Sequence, residues 1–263
     1  MGASYPAGVV NVLGETLALT TTLASLGMPG METKQAIVYV PTSDFRLHLN
    51  PAIKRISFYD ASAASGARFK ELTRVLSDRA TTGSGTTMDD RAAGDRLYLC
   101  ASDIIGGLRI DMVDASVNGE ACVLTANYWN GTAWASLSAT DGTVSAGKSF
   151  AADGSITWTA PTDWVAAPLG GPKPDAILTT LATPFADAPI DDGFWVQFVW
   201  TLIFDADTEV EDIWTLNKNT SRGYFRSGQE YHISLDRRNV GAIEAILAAG
   251  TATMELTWLR NVL

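Results

Sequence analysis

Two histidines, His48 and His232, set a narrow limit on acid–base chemistry in this chain. His48 alternates with Leu47 and Leu49, which puts it on the polar face of a strand. His232 lies in EYHISLD, beside Tyr231 and Ile233. A nucleophilic triad needs a Ser or Cys aligned with an imidazole, and the sequence holds no GxSxG elbow. Both histidines are therefore read as structural. The run Asp205, Asp207, Glu209, Glu211 and Asp212 is the best metal candidate, with Asp205, Asp207 and Glu209 foremost. Alternate carboxylates project to one side of an extended chain, and oxygen ligands suit Ca2+. The run lacks the bend Gly and the terminal Glu spacing of an EF-hand loop. A solvated acidic turn is the competing reading.

Other carboxylates, Asp141, Asp153 and Asp163, offer material for a glycosidase pair. Asp141 and Asp153 each precede Gly, however, and turn formation accounts for both. The GSGTT run at Gly83 lacks the Lys of a phosphate loop, so no nucleotide or other cofactor is expected. The two cysteines, Cys100 and Cys122, sit in the apolar runs LYLCA and EACVLT. They form no CxxC pair and read as buried, reduced thiols. The aromatics Tyr128, Trp129, Trp134, Trp158 and Trp164 have two readings. Exposed rings would stack on sugars, giving a carbohydrate- or receptor-binding sandwich with the acidic run as its Ca2+ site. Alternatively, alternate members fill a core. Adjacent Tyr128 and Trp129 point to opposite faces of a strand, so one ring meets the core and the other meets a partner, a covering loop or solvent.

The elements that hold these residues read as β-structure. AIVYV (Ala36 to Val40) is stopped by Pro41, and Phe45 to Leu49 alternates apolar with polar, as does Arg55 to Phe58. Arg96 to Ala101, Leu108 to Met112, Glu230 to Leu235 and Thr253 to Leu259 are further strands. Phe194 to Phe204 is the strongest: Phe194, Val196, Phe198 and Trp200 share one face, Trp195, Gln197 and Val199 the other. Both faces are largely apolar, which predicts a central strand covered on both sides. Asn130-Gly131, Asp141-Gly142 and Asp153-Gly154 predict tight turns, the first a two-residue hairpin. Phe69 to Leu76 and Ala242 to Ala249 are expected as short helices, and Thr81 to Asp90 as a mobile loop. The segment 166–189 carries Pro168, Pro172, Pro174, Pro184 and Pro189, and its length predicts an interaction arm.

Tryptophan is absent before Trp129, and this shift predicts two modules, 1–107 and 108–263. The expected fold is mainly β, the second module an antiparallel sandwich or jelly-roll-like domain. Charged residues make up 18% of the chain, below the usual ~25%, which leaves weakly polar surface for other proteins. A net charge of −10 disfavours nucleic acid and anionic membranes as partners. The N-terminal MGASYPAGVVNVLGE lacks the basic and apolar regions of a signal peptide, so synthesis in a cytoplasm is expected.

The stretch YWNGTAWASLSATDGT…GSITWTAPTDW, Tyr128 to Trp164, resembles a module recurring in structural proteins of tailed bacteriophages. There a strand ending in a Tyr/Trp pair passes through an Asn/Asp-Gly turn to another Trp, and a Gly/Ser-rich meander ends in a segment like TWTAPTDW. IVYVP (Ile37 to Pro41) and FYDAS (Phe58 to Ser62) also resemble that setting. The resemblance carries no catalytic residue. It implies a non-enzymatic virion component, a homo-oligomer bound to other virion proteins. A tail-associated place is favoured, with capsid decoration close behind. Within that reading Tyr128, Trp129, Trp134, Pro172 and Pro174 are the expected partner-binding residues.

Overall fold

The structure, a computed structural model, describes residues 9–19, 24–27, 35–77, 85–88, 92, 94–180, 187–218, 223–234, 240–247 and 252–261. The chain opens with β1 (Val9–Leu19), β2 (Ala24–Gly27), β3 (Gln35–Tyr39) and β4 (Phe45–Pro51). Next come β5 (Ile53–Tyr59), β6 (Phe69–Glu71), α1 (Thr73–Leu76), β7 (Thr86–Thr87), β8 (Arg96–Ala101) and β9 (Ile105–Met112). The aromatic stretch follows as β10 (Leu124–Trp129), β11 (Trp134–Ser136), β12 (Thr140–Asp141) and β13 (Gly154–Thr157). Then come β14 (Ala167–Pro168), α2 (Ile177–Thr180), β15 (Asp192–Trp200) and β16 (Glu209–Asn217). The chain closes with β17 (Gly223–Phe225), β18 (Glu230–Ser234), β19 (Val240–Leu247) and β20 (Ala252–Asn261). The fold is mainly β with two one-turn helices, as the strand periodicities predict.

The strands form two compact units, but not the two predicted from tryptophan content. One unit joins 1–50 to 219–263; the other is the continuous insertion 51–218. The expected boundary near residue 107 falls inside β9, within the insertion. Tryptophan follows the thick core of the inserted unit, not a change of domain. Seven of the eight lie there, and Trp258 lies in β20 of the outer unit.

In the outer unit two four-stranded sheets run β1-β20-β3-β18 and β17-β4-β19-β2. The antiparallel register of β20 on β3 pairs Leu256 with Val38, and that of β18 on β3 pairs Tyr231 with Val38. Val38, Phe45, Ala245 and Met254 are fully buried. The Phe45 ring meets Tyr231 edge-on at 6.0 Å, tying one sheet to the other. Residues 242–247 were expected as helix and are strand. The apolar spacing of AIEAIL fits either period over so short a run. Pairing of Ala242–Ala245 with Ala24–Gly27 selects the extended form over alanine's helix propensity.

In the inserted unit a large sheet runs β11-β10-β15-β8-β5-β6, with β14 added beside β15, and faces a second sheet β12-β13-β9-β16-β7. Strand β15 is central, as its two apolar faces predict. Its Val196, Phe198 and Trp200 join Ile56, Leu97, Leu99, Leu108, Ile110 and Ile213 in the core between the sheets. Its Trp195 points the other way, into a second core with Tyr98, Cys100 and Trp129. The predicted Phe69–Leu76 helix is only half realised. Phe69–Glu71 is an edge strand on β5, and α1 supplies one turn whose Leu76 is buried. Residues 85–88 of the expected mobile loop are ordered. Thr86–Thr87 pair with β16 and Met88 is fully buried; residues 81–84 and 89–90 lie outside the described set.

Candidate functional site

The aromatic stretch is where two cores meet through one strand. Alternation along β10 sends Tyr128 between the sheets and Trp129 to the outer face. The Tyr128 ring stacks at a tilt on Trp164, 5.6 Å away, and its hydroxyl donates to Asp163 Oδ1 at 2.8 Å. Trp164 meets Trp158 and Phe194 in turn. Trp129 is buried and meets Trp134 edge-on at 5.8 Å. Trp134 is half-buried and also touches Tyr98. The expectation that one ring of the pair faces the core holds, and the other is covered by the chain's own loop. Four of the five aromatics proposed for sugar stacking are therefore buried, which removes the geometry of a carbohydrate platform built on them.

That covering loop is the segment predicted to be an arm. It is a flap. Ala167, Leu169, Ile177, Leu178 and Ala188 are buried over Trp129 and Trp195. Trp195 Nε1 donates to the Ala167 carbonyl at 2.8 Å, so the indole's one polar atom is satisfied by the flap that covers it. Strand β14 pairs with Gly193 and Asp192. Gly170 N donates to the Pro189 carbonyl at 2.8 Å, closing the flap on itself. At its rim Arg55 holds Asp191 through Nε at 2.7 Å and pairs with Glu71 through Nη1. Asp187 Oδ2 accepts from the amides of Arg68 and Phe69 at 2.6 and 3.1 Å. At its tip Pro172, Lys173, Pro174 and Asp175 are exposed, and Lys173 Nζ reaches Asp192 Oδ2 at 3.4 Å. Pro184 lies outside the described residues.

The carboxylates singled out in the sequence organise turns. Asp141 Oδ1 accepts from Thr143 N and Oγ1 at 2.9 and 2.6 Å, and Asp153 Oδ1 accepts from Met112 N at 2.8 Å. Asp205 accepts from Gly119 N at 2.5 Å, Thr208 Oγ1 at 2.7 Å and Asp207 N at 3.3 Å. Desolvation raises the Asp205 pKa, but these hydrogen bonds and nearby Lys148 outweigh it and hold the carboxyl below its ordinary value. Asp207 is exposed and Glu209 begins β16. The run does not converge: among the described residues no three acidic, His or Cys side chains come together to hold a metal.

Turn chemistry was only partly legible. Trp129 pairs with Trp134, so the loop spans Asn130 to Ala133 and is four residues, not two. Asn130 Oδ1 accepts from Thr132 N, Thr132 Oγ1 and Ala133 N, and Gly131 takes φ 94°. The side chain substitutes for a tighter backbone turn. The two Asp-Gly pairs sit at the end of β12 and the start of β13, at either end of the connection between these paired strands. A Cβ on Gly142 would sit 2.6 Å from the Ser155 carbonyl, and one on Gly154 would press on Gly142 and meet Thr143 N at 2.6 Å. Glycine is needed there because two backbones nearly touch.

Cys100 and Cys122 are free and buried, as expected. Burial pushes the Cys100 thiol up to about 12. The side chains of His48 and His232 lie outside the described set; β4 and β18 carry them. What sequence reading missed is an exposed apolar group at one end of the inserted unit. Val123 exchanges hydrogen bonds with Thr201, its N donating to Oγ1 and its carbonyl accepting from Thr201 N, both at 3.1 Å. Beside Thr201 stand Leu202 and Ile203. All three apolar side chains are about half exposed, at 52%, 51% and 48%. The signal was present as the last residues of the Phe194–Phe204 run, which extend past the end of β15. No helix among the described residues is long and apolar enough to cross a membrane. The chain matches no family model, no curated protein and no solved structure.

Proposed function

We propose that this chain is a non-enzymatic structural component of a tailed-phage virion, assembled in multiple copies through protein–protein contacts and tail-associated in preference to capsid-decorating. The observation that carries the reading is how the conspicuous groups are employed. Tyr128, Trp129, Trp158 and Trp164 build core, and Asp141, Asp153, Asp163 and Asp205 each receive hydrogen bonds that fix a turn or a strand end. Among the exposed apolar side chains, Val123, Leu202 and Ile203 lie at the hydrogen-bonded Val123–Thr201 junction and suit a docking surface. The sequence resemblance of Tyr128 to Trp164 supplies the phage setting. In that setting the protein acts by holding position, is made in the host cytoplasm and ends in the particle. Light scattering of the purified chain, together with a density map of phage particles, tests the proposal. Concentration-dependent self-association and a match to repeated density are expected. A chain that stays monomeric at high concentration and fits no density refutes it.

A further inference from the structure

The sheet edges of the two units are finished differently. In the inserted unit the four terminal strands of the two sheets are β6, β11, β12 and β7, of three, three, two and two residues. Such short edges offer little to an incoming strand, a common guard against edge-to-edge pairing. In the outer unit β17, β2 and β18 are also short, at three, four and five residues. The exception is β1, an end strand of eleven residues, VVNVLGETLAL, with a single charge and no proline. Its inner edge pairs with β20 from Val9↔Asn261 to Leu19↔Ala252, and among the described residues no strand pairs its outer edge.

We infer that the outer edge of β1 is a docking site for the same edge of a second copy, the two strands adding antiparallel about a two-fold axis. A long row of unpaired amides and carbonyls is best met by a strand of equal length. No other terminal strand among the described residues exceeds five residues, so only β1 of another copy matches it. The register follows from the ladder. The pairing with β20 slips between Asn11 and Leu13 and is regular from Leu13↔Trp258 to Leu19↔Ala252. Centring the two-fold on this regular segment sets Thr16 opposite Thr16, Leu13 opposite Leu19 and Glu15 opposite Leu17. The two Glu15 residues are then not directly opposed, and a Thr–Thr cross-strand pair is favourable. The inference goes beyond the virion reading and does not need it, since the junction forms between free copies.

Cysteine cross-linking of the full chain tests both contact and register. Opposed residues of an antiparallel pair have Cα atoms about 4.5–5.5 Å apart, within the reach of a disulfide. Under mild oxidation Thr16→Cys should form a covalent dimer. Ala18→Cys alone should not, but mixed with Gly14→Cys, its partner in this register, it should. Proline scanning adds a second readout, because successive amides along a strand point to opposite edges. Of Thr16→Pro and Leu17→Pro, the one that removes an outward amide should abolish the non-covalent dimer in sedimentation while keeping the wild-type circular dichroism. The other should weaken the fold. Failure of Thr16→Cys to cross-link, cross-linking by Ala18→Cys alone, or a dimer untouched by both prolines overturns the inference. A chain that self-associates but shows one of these results keeps the virion reading and loses this one.

Discussion

Leu169→Ala should open the flap without opening the sandwich. Leu169 is fully buried in the second core of the inserted unit, among Trp129, Ile177 and Trp195. Removing its isobutyl group deletes apolar burial and leaves a hole that the half-pinned flap fills poorly. Substitutions of this kind cost about 2–5 kcal/mol, which is about 30-fold to 4,000-fold in an opening equilibrium at about 1.4 kcal/mol per tenfold. The chain carries its own reporters. Cys100 lies under the flap, and Cys122 lies in the core between the sheets. Labelling with a maleimide, followed by peptide mass spectrometry, reads each thiol separately. When opening and closing are fast relative to labelling, the labelling rate follows the open population. Cys100 should therefore label faster in Leu169→Ala by a factor in that range, while Cys122 keeps its wild-type rate. Equal acceleration of both thiols would mean that flap and sandwich unfold as one unit. No acceleration at Cys100 would mean that Leu169 does not hold the flap. Either result refutes the division into two cores with separable stability.

Stability should fall as pH rises past about 9, because the Cys100 thiol is held at about 12 in the fold against an ordinary 9.0. The unfolded chain loses this proton first, so the contribution is intact below pH 9 and declines by about 1.4 kcal/mol per pH unit above it. Urea unfolding at pH 8 and 10 should show that decline in wild type and a smaller one in Cys100→Ala. Asp205→Ala should cost about 1 kcal/mol at neutral pH through its lost hydrogen bonds. The gap from wild type should narrow in acid, as pH falls through the lowered Asp205 value; thermal unfolding at pH 7 and 3 measures both. Adding Ca2+ should leave the wild-type midpoint unchanged, and a calcium-dependent rise would reinstate the metal reading of the acidic run. Gly154→Ala drives a methyl into Gly142 and Thr143 N and should cost about 1–3 kcal/mol in urea midpoint, with an unchanged slope.

Local periodicity exposed most strands because one buried face writes itself into alternate residues. β8 runs over Arg96–Ala101, the span predicted for it. β15 shows its two apolar faces because each meets a separate core. What stayed hidden depends on distant partners. Of the helix expected over Ala242 to Ala249, residues 242–247 are strand because Ala24–Gly27, more than two hundred positions away, pairs with them. The proline-rich segment 166–189 reads as an arm, since prolines and glycines mark irregular chain. The spacing of its apolar residues follows no strand or helix period, so nothing announces that Leu169, Ile177 and Leu178 roof a tryptophan pair. The acidic run looked like a ligand set because alternate carboxylates share a side in extended chain. In the structure Asp205 precedes a turn at residues 206–207 and Glu209 begins a strand, so the alternation is broken between them.

The insertion of one unit into the other has a consequence for synthesis. Strands β1 to β4 leave the ribosome before the rest of the insertion, yet β20, the neighbour of both β1 and β3, is made only after it. Gly223, the start of β17, follows Pro51, the end of β4, by 172 positions. At about 5–20 residues per second this is a delay of roughly 9–34 s. The insertion receives its last strand, β16, only at the close of that interval, and its sheets are then complete without any outer strand. The first four strands wait beside it as partnerless segments, and β1 is the longest of them. A nascent-chain binder acting on β1 to β4 therefore protects the outer unit, and truncation after Lys218 leaves the insertion as the part that keeps all its strands.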